Sequence, residues 1–273
     1  MSRMPTLFIP HGGGPCFFME SDPIDMWDNM EAYLRGFMTD LEEKPKAILI
    51  ISGHWEEDEV TVQSNPAPGM LFDYHGFPPH TYELKFPAKG SPELVGRVSD
   101  LLNENDIANT NDANRGFDHG VFIPLLVAMP DADIPVVQLS LRADMDAGKH
   151  IEIGKALEPL RDEGVLILGS GMSYHNLQIM ISTMRNQKNT DATFPEALSF
   201  DSWLTQAVTD SDPATRNEKL CDWAKAPAAR AAHPREEHLL PLHVVAGAAG
   251  DDIGKTAFND MILGIPQSAF KFG

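Results

Sequence analysis

Cysteine is nearly absent from this sequence. Among its 273 residues Cys16 and Cys221 are the two cysteines, too few for a disulfide framework or a cluster of thiolate ligands. We therefore expect a cytoplasmic protein in which any metal is held by histidine and carboxylate side chains. The N-terminal apolar stretch is too short for a signal peptide, and no apolar run approaches the roughly 20 residues that span a bilayer. A membrane is accordingly not an expected partner.

Basic residues are also scarce. Lysine and arginine total 21 against 40 aspartates and glutamates, which gives a formal net charge of -19. So acidic a surface repels phosphate backbones, and nucleic acid is therefore not an expected partner. The hydrophobic content of 42% is ordinary for a soluble globular protein. Whether the chain forms a homo-oligomer stays open.

Several common catalytic motifs are missing as well. The H-E-x-x-H helix of zinc proteases does not occur, nor does the GK[ST] ending of a phosphate-binding loop. Gly169-Ser170-Gly171 follows an apolar run but lacks the G-x-S-x-G pattern of a serine-hydrolase elbow. The chemistry must instead come from side chains that are distant in the sequence and are gathered by folding.

Short apolar runs that end in small residues are the main signal for the fold. Ala47–Trp55 (AILIISGHW) places five apolar residues before Ser52-Gly53-His54, which is typical of a strand buried in a parallel sheet. Further strands are expected at Thr6–Pro10, Val60–Gln63, Ile134–Leu141, Val165–Leu168 and Ser268–Phe272. The pattern contains no internal repeat and no linker. We predict a single α/β domain over residues 1–273, with a mostly parallel central sheet flanked by helices.

Helical spacing of apolar residues fills most of the intervals between these strands. Helices are expected over Pro23–Leu41, from Ser91 to about Asn103, from Asp118 to Met129, and over Gly148–Leu160, Pro195–Val208, Asp212–Trp223 and Arg235–Gly247. Asp22 and Ser91 are candidate N-caps. Residues 65–92 are instead rich in proline and aromatic side chains, which indicates an irregular segment such as a lid. Residues 184–194 are polar and show no periodicity.

Three imidazoles are expected at one edge of the sheet. His11 follows the first strand, His54 stands where the Ala47 strand ends, and His175 follows the Val165 strand through a glycine-rich turn. Ligands in open α/β sheets sit outside the carboxyl ends of the strands, so we expect a metal site there. Neutral imidazole suits zinc, copper, iron and nickel, and a histidine-rich site with one carboxylate suits Fe(II) that activates oxygen.

The remaining histidines are not equivalent. His238 lies beside Glu236 and Glu237, either of which could supply a carboxylate ligand. His119 follows Asp118, and a helix cap is an equally good interpretation of that aspartate. A core position or a place behind the ligands is expected for His243, and loop or surface positions for His75, His80, His150 and His233.

Six short motifs occur in a fixed order along the chain. They are Pro10-His11-Gly12-Gly13, Ser52-Gly53-His54-Trp55, Gly76-Phe77-Pro78, Gly116-Phe117-Asp118-His119-Gly120, Gly169-Ser170-Gly171 with His175-Asn176-Leu177, and Glu237-His238-Leu239-Leu240-Pro241-Leu242. In this order they resemble the DODA-type extradiol aromatic ring-opening dioxygenases. These are relatives of the class III enzymes that include the catalytic subunit of protocatechuate 4,5-dioxygenase. The resemblance extends over nearly the whole chain.

The resemblance implies a metal held by His11 and His54, with Fe(II) expected in function and Zn(II) as a bound substitute. The third ligand is a glutamate in the protocatechuate branch and a histidine in the DODA-type branch, which points to His238 here. His175 matches the acid/base histidine, which in DODA-type members is also a candidate metal ligand, and His119 matches the second active-site histidine. The implied reaction is extradiol cleavage of a catechol-type substrate with O2.

Two other interpretations of the same residues stay open. The histidine cluster could activate water on zinc in a hydrolase, or it could hold a metal in a non-catalytic homologue. Arg142 and Arg235 are candidates for binding a substrate carboxylate. Ion pairs with neighbouring acidic residues are, however, the favoured interpretation of both arginines.

Overall fold

The computed structural model of the protein describes residues 2–185 and 194–273, so residues 186–193 of the polar stretch 184–194 lie outside the described residues. The strands are β1 (Thr6–Pro10), β2 (Ala47–Glu57), β3 (Val60–Gln63), β4 (Asn109–Asp112), β5 (Val136–Arg142), β6 (Val165–Gly171), β7 (Gly254–Ile262) and β8 (Ile265–Phe272). The α-helices are α1 (Asp28–Phe37), α2 (Pro92–Glu104), α3 (His119–Ala128), α4 (Ala147–Leu157), α5 (Leu177–Arg185), α6 (Pro195–Val208), α7 (Pro213–Cys221), α8 (Ala229–Ala232) and α9 (Leu240–Ala248). No helix in the described ranges has both the length and the apolar character needed to cross a membrane.

These strands form one sheet in the order β4-β3-β5-β2-β6-β1-β8-β7. The central strands β5, β2, β6 and β1 run parallel to one another, whereas β8 pairs antiparallel with β1 and with β7. The predicted α/β architecture with a mostly parallel central sheet is therefore confirmed. Because β2, β6 and β1 are neighbours, their carboxyl ends meet at one edge.

Hydrophobic side chains cover both faces of the sheet. In β2 the side chains of Ile48 and Ile50 belong to one core cluster, and those of Leu49 and Ile51 belong to the other. Successive residues of a strand point to opposite faces, so a strand covered on both sides must be apolar at every position. This is the physical reason for the unbroken apolar run at the start of β2.

Two predicted helices begin later than expected. The helix predicted from Pro23 begins at Asp28, and Asp22 is not its N-cap. Ile24, which belonged to the apolar pattern, is 75% exposed. The helix predicted from Arg235 is α9, which begins at Leu240 and has Pro241 in its first turn, where proline is tolerated. The predicted N-cap at Ser91 is confirmed, since its side chain accepts a hydrogen bond from the Leu94 amide.

The segment between β3 and α2, residues 65–91, is called the aromatic segment here. It contains a short 3-10 turn at Pro79–Tyr82. It is tied to the chain that leads into α3, because the amides of Leu71 and Phe117 donate to the carbonyls of Phe117 and Gly69 at 2.7 and 2.8 Å. Its aromatic rings pack on one another and on the α3 side chain Phe122.

Helices α4 and α9 touch through glycine. A Cβ atom added at Gly154 would lie 2.0 Å from the carbonyl oxygen of Val244, and one added at Gly247 would lie 2.1 Å from that of Ile151. Real Cβ atoms do not approach backbone so closely, so the two helices can adopt this spacing only with glycine at the contact. Helix α9 in turn packs on β1, β2 and β6.

Gly154→Ala tests this packing. We expect the free energy of unfolding to fall by about 1–3 kcal/mol, because a methyl group must be forced between two backbones. The matched control is Gly96→Ala in α2, where no described atom outside the helix's own backbone lies within 4 Å of the added Cβ. There alanine should raise stability by about 0.5–1 kcal/mol through its better helix propensity. Urea unfolding measures both, and equal effects at the two sites would contradict the close contact.

Candidate metal centre

Three imidazoles that are far apart in the sequence converge at the carboxyl edge of the sheet. His11 follows β1, His54 lies near the end of β2, and His238 lies in the turn before α9. The Nε2 atom of His54 is 3.3 Å from Nε2 of His11 and 3.2 Å from Nε2 of His238. One nitrogen from each ring can therefore serve the same ion, since the three donor atoms lie within 4.8 Å of one another.

The strand ends place these rings. The pairing of β2 with β5 shifts register between Ile51 and Glu56, so His54 lies in an irregular stretch of the strand rather than after its end. Such irregularities re-aim side chains next to active sites. At His238 the backbone approaches β6 so closely that a Cβ added at Gly171 would be 2.1 Å from its carbonyl oxygen. That oxygen accepts a hydrogen bond from the Met172 amide at 3.1 Å.

Each of the three rings turns its Nδ1 atom towards an oxygen. His11 Nδ1 is 3.0 Å from the Gly12 carbonyl, and His238 Nδ1 is 3.0 Å from Glu237 Oε1. His54 Nδ1 faces Asp73 Oδ2 at 3.7 Å. A neutral imidazole that donates from Nδ1 carries its lone pair on Nε2, the atom that points into the cluster. This is the arrangement that histidine ligands of metals adopt.

The protonation state of the three rings also suits metal binding. Burial lowers the pKa of His11, His54 and His238 well below the ordinary value, and repulsion among neighbouring imidazoles lowers it further. The rings are therefore neutral near pH 7. Three neutral nitrogen donors are a suitable set for a divalent transition metal.

His119 lies beside this cluster and is held by Asp73 of the aromatic segment. Asp73 Oδ1 accepts hydrogen bonds from His119 Nδ1 at 2.7 Å and from the His119 amide at 2.9 Å. Burial alone raises the pKa of Asp73, but these hydrogen bonds outweigh it and leave the pKa below the ordinary value. The ring of His119 is centred 3.9 Å from that of His54.

His175 occupies the opposite flank. Its ring stacks on that of His238 with centroids 3.4 Å apart, and its Nδ1 lies 3.2 Å from Glu237 Oε1. Burial raises the pKa of Glu237, yet the hydrogen bond from His175 and nearby positive charge bring it below the ordinary value. One carboxylate thus faces two imidazoles, His175 and His238. The structure groups His175 with Glu237 and His238 rather than with His11 and His54.

Asp118 is not the helix cap that its position suggests. It stands at the N-cap position of α3, but its side chain accepts no capping hydrogen bond within the described part of the chain. Its Oδ1 accepts instead from the Ser52 hydroxyl at 2.7 Å, and its Oδ2 accepts from Gln138 and from Arg115. Arg115 also donates to the carbonyl of His54 at 3.3 Å. This network joins β2 and β5 to the start of α3, and it thereby fixes the strand that carries His54.

The histidines surround a cavity of about 520 Å³. Its apolar walls come from Tyr74 and Phe77 of the aromatic segment and from Met172, Leu177 and Met180 on the other side. The aromatic segment therefore packs over the site as the lid interpretation required. A cavity of this size and lining admits one aromatic ring with a substituent.

The other five histidines do not line the cavity. His75 and His80 are exposed in the aromatic segment, and His243 is in the core, as predicted. His150 and His233 were predicted in loops or at the surface, but both are fully buried. His150 can be buried because both of its ring nitrogens have partners: Nδ1 bonds the Asp146 carbonyl, and Nε2 accepts from the Arg142 amide. Burial lowers the pKa of His150 to about 4, so the ring is neutral.

The two candidate arginines form ion pairs. Arg142 pairs with Asp144 at 2.9 Å, and Arg235 pairs with Glu56 at 2.5 Å at the cavity wall. Asp73, in contrast, is a residue of the site that the sequence did not indicate. It lies in an irregular segment with no periodic pattern, so the sequence could not predict the direction of its side chain. The prediction that this segment is a lid was the one indication that its residues lie near the site.

Comparison with known proteins gives a consistent result. The family described as the catalytic LigB subunit of aromatic ring-opening dioxygenase matches residues 5–271. The 4,5-DOPA dioxygenase extradiol of Beta vulgaris is 40% identical over 248 residues, which are 90% of this chain and 87% of that protein. Dioxygenase tasH of Hapsidospora irregularis is 33% identical over 100% of this chain and 86% of its own length. The crystal structure of an uncharacterized Escherichia coli K12 protein has a TM-score of 0.77 at 30% identity and covers 99% of this chain and 100% of its own.

His54→Ala tests the cluster as a metal centre, because the Nε2 atom of His54 lies between the other two. We expect the affinity for Fe(II) or Zn(II) to fall by more than about 100-fold, beyond the loss of roughly 10- to 100-fold that removal of an outer partner causes. The matched control is His75→Ala, an exposed histidine that should leave affinity unchanged. Anaerobic equilibrium dialysis with elemental analysis gives the metal content. Stoichiometric metal in His54→Ala would remove His54 from the ligand set.

Proposed function

The chain belongs to the family of the catalytic LigB subunit of aromatic ring-opening dioxygenases and is an extradiol ring-cleaving dioxygenase; from this premise we propose its substrate, its metal and the roles of its histidines. The substrate is a catechol-type ring, opened beside its two hydroxyls with O2. The observation that supports this proposal best is the convergence of three neutral imidazoles on one point of an aromatic-lined cavity.

The metal is Fe(II), held by His11, His54 and His238. Three protein nitrogens would hold the ion without closing its coordination, as a catalytic rather than a structural site requires. When bound, Fe(II) supplies Lewis-acid activation of the diol and the redox chemistry that makes O2 reactive. Zn(II) fits the same donors and is the expected substitute in protein purified in air.

His175 is the general base. Its Nδ1 is held by Glu237, so its Nε2 is left to take the proton from the second hydroxyl of the catechol. A carboxylate partner stabilises the imidazolium that this transfer creates. The stacking of His175 on His238 keeps the base next to the metal ligands, where the bound diol must lie.

His119 acts on the other side of the substrate. Held at Nδ1 by Asp73, it is left free at Nε2 to accept the proton that the other catechol hydroxyl releases. The imidazolium so formed stabilises the negative charge that develops on oxygen as the ring opens, and it returns that proton to the product. Tyr74 and Phe77 pack against the ring of the substrate and exclude water from the reacting atoms. The chain itself thus supplies proton transfer, charge stabilisation and side chains that exclude water.

Several of the relatives carry names that specify DOPA, a catechol with an amino-acid side chain. We therefore propose DOPA as the first member of a substrate panel, with unsubstituted catechol and protocatechuate as alternatives. The Glu56–Arg235 pair at the cavity wall offers one charge of each sign to a substituent on the ring. Comparison of kcat/KM across the panel ranks these substrates.

Reconstitution under controlled oxygen is the test of the reaction. Metal-free protein is loaded with Fe(II) without air, mixed with the catechol and then exposed to O2. We expect a yellow semialdehyde product and consumption of O2 in a one-to-one ratio with substrate. Turnover of an ester or amide with Zn(II) in the absence of O2 would support a hydrolase instead. No turnover under either condition would support a non-catalytic metal-binding homologue.

His175→Ala tests the base. We expect kcat to fall by about 10²- to 10⁴-fold, the usual contribution of a general base, while Fe(II) stays bound and the fold is kept. His80→Ala, which removes an exposed imidazole of the aromatic segment, serves as the matched control. Steady-state oxygen consumption and metal analysis give the two readouts. A near-normal rate in His175→Ala contradicts its role as base, and loss of iron makes it a ligand.

A further inference from the structure

We propose that Asp73 is a positioning residue that fixes the tautomer and the orientation of His119, and that it orients His54 through the same carboxylate. The inference rests on the proposed function, because it concerns how the cleavage site is held. Asp73 lines the cavity beside His54 and His119, and these three residues form a second group whose donor atoms lie within 4.8 Å of one another. Its oxygens face the Nδ1 side of both rings, away from the three converging Nε2 atoms. It acts through contacts to two imidazoles and to one helix end.

The proton on His119 is placed by Asp73. Asp73 Oδ1 faces the Nδ1 atom of His119 at 2.7 Å and its backbone amide at 2.9 Å. A carboxylate oxygen accepts hydrogen bonds but cannot donate them, so Nδ1 must carry the proton. The lone pair of His119 is then on Nε2, the nitrogen left for the cavity that this residue lines.

The negative charge on Asp73 is stabilised by helix α3. The amide that Asp73 binds is the first of this helix, one of the N–H groups that a helix leaves without an internal partner. The N-terminus of a helix stabilises negative charge, and this one is served by Asp73 rather than by Asp118 at the N-cap position. Helix α3 therefore fixes the carboxylate that fixes His119.

The same carboxylate links His119 to a metal ligand. The other oxygen of Asp73, Oδ2, lies 3.7 Å from Nδ1 of His54, and the two imidazole rings are centred 3.9 Å apart. Because His54 turns Nε2 towards His11 and His238, its Nδ1 is the atom available for an outer partner. At 3.7 Å the contact is longer than a hydrogen bond, so the carboxylate acts on His54 through its charge. That charge favours the proton on Nδ1 and raises the basicity of the ligand.

Asp73 is held between two anchored neighbours. The backbone on one side of it pairs with the residues before α3 through Leu71 and Phe117. On the other side the ring of Tyr74 packs edge-on against His119 at 5.8 Å, and its hydroxyl donates to the Thr81 carbonyl at 2.5 Å. The aromatic segment therefore supplies a fixed wall from which the carboxylate of Asp73 faces the site.

The experiment uses Asp73→Asn in the full-length protein. The change keeps the shape of the side chain but removes its charge and introduces an N–H donor that can face His119 Nδ1. Nitrogen-15 NMR of the histidine rings, in metal-free and in Zn(II)-loaded protein, reports which ring nitrogen of His119 carries the proton. The His119 signals are assigned by their loss in His119→Gln. Asp133→Asn, at an exposed carboxylate paired with Lys44, is the matched control.

We expect wild-type His119 to carry its proton on Nδ1 and Asp73→Asn to shift it towards Nε2. The variant should still bind stoichiometric metal at saturating Zn(II), although its affinity falls by about 10- to 100-fold. In Fe(II)-loaded protein kcat should fall by about 10- to 100-fold with little change in KM, the usual loss when an outer partner of an active-site histidine is removed. Asp73→Glu, which keeps the charge, should restore part of the Nδ1–H signal and of the rate.

Three results would overturn the inference. They are an Nε2–H tautomer in the wild-type protein, an unchanged His119 tautomer in Asp73→Asn, and a loss of metal affinity in Asp73→Asn of more than about 100-fold, as large as that of a ligand variant, which would make Asp73 a ligand. The wild-type spectrum is decisive even if the variant fails to fold. If the wild-type protein cleaves no catechol, the proposed function fails, whereas the tautomer measurement still decides the role of Asp73.

Discussion

The close approach of the backbone at residue 238 to the end of β6 is the contact on which the metal centre depends. His11 and His54 reach the edge of the sheet on β1 and β2, the two strands that flank β6. His238 comes instead from a turn that must pack against the end of β6. Gly171 makes room for its carbonyl, and the Met172 amide binds that oxygen. A side chain at Gly171 would push the third imidazole away from the other two.

That turn is held from behind by α9. Helix α9 is packed against α4 through glycine, and two fully buried arginines bind the carbonyl groups at its carboxyl end. Arg161 donates to Ala248 and Ala249, and Arg216 donates to Ala246 and Gly250. Positive charge at the end of a helix is stabilising, and the unpaired carbonyls there need donors. The position of the His238 imidazole therefore depends on the contacts of α9 with α4 and with the two arginines.

Burial decides how much of this could be predicted from the sequence. The central strands were recognisable because both faces are covered, which forces apolar residues at every position. The edge strands β4 and β7 were not, since Asn109–Asp112 and most of Gly254–Ile262 face solvent and leave no apolar pattern. All five site histidines could be placed at strand ends or at a helix start, and the family resemblance added the role of His238 as the third ligand. Asp73 could not, because an irregular segment has no period from which the direction of a side chain follows.

Glu237 and His238 are alternative third ligands between which sequence spacing alone could not choose. Glu237 Oε1 already accepts from Nδ1 of His238 and faces Nδ1 of His175. As a ligand it would give up contacts that orient two imidazoles, whereas Nε2 of His238 has its neighbour in His54 at 3.2 Å. The geometry supports His238 as ligand and leaves each flank of the centre with one carboxylate, Asp73 on one side and Glu237 on the other. Two carboxylates beside neutral imidazoles would offset the charge of a divalent ion, and a buried site of this composition would then need no carboxylate ligand to hold one.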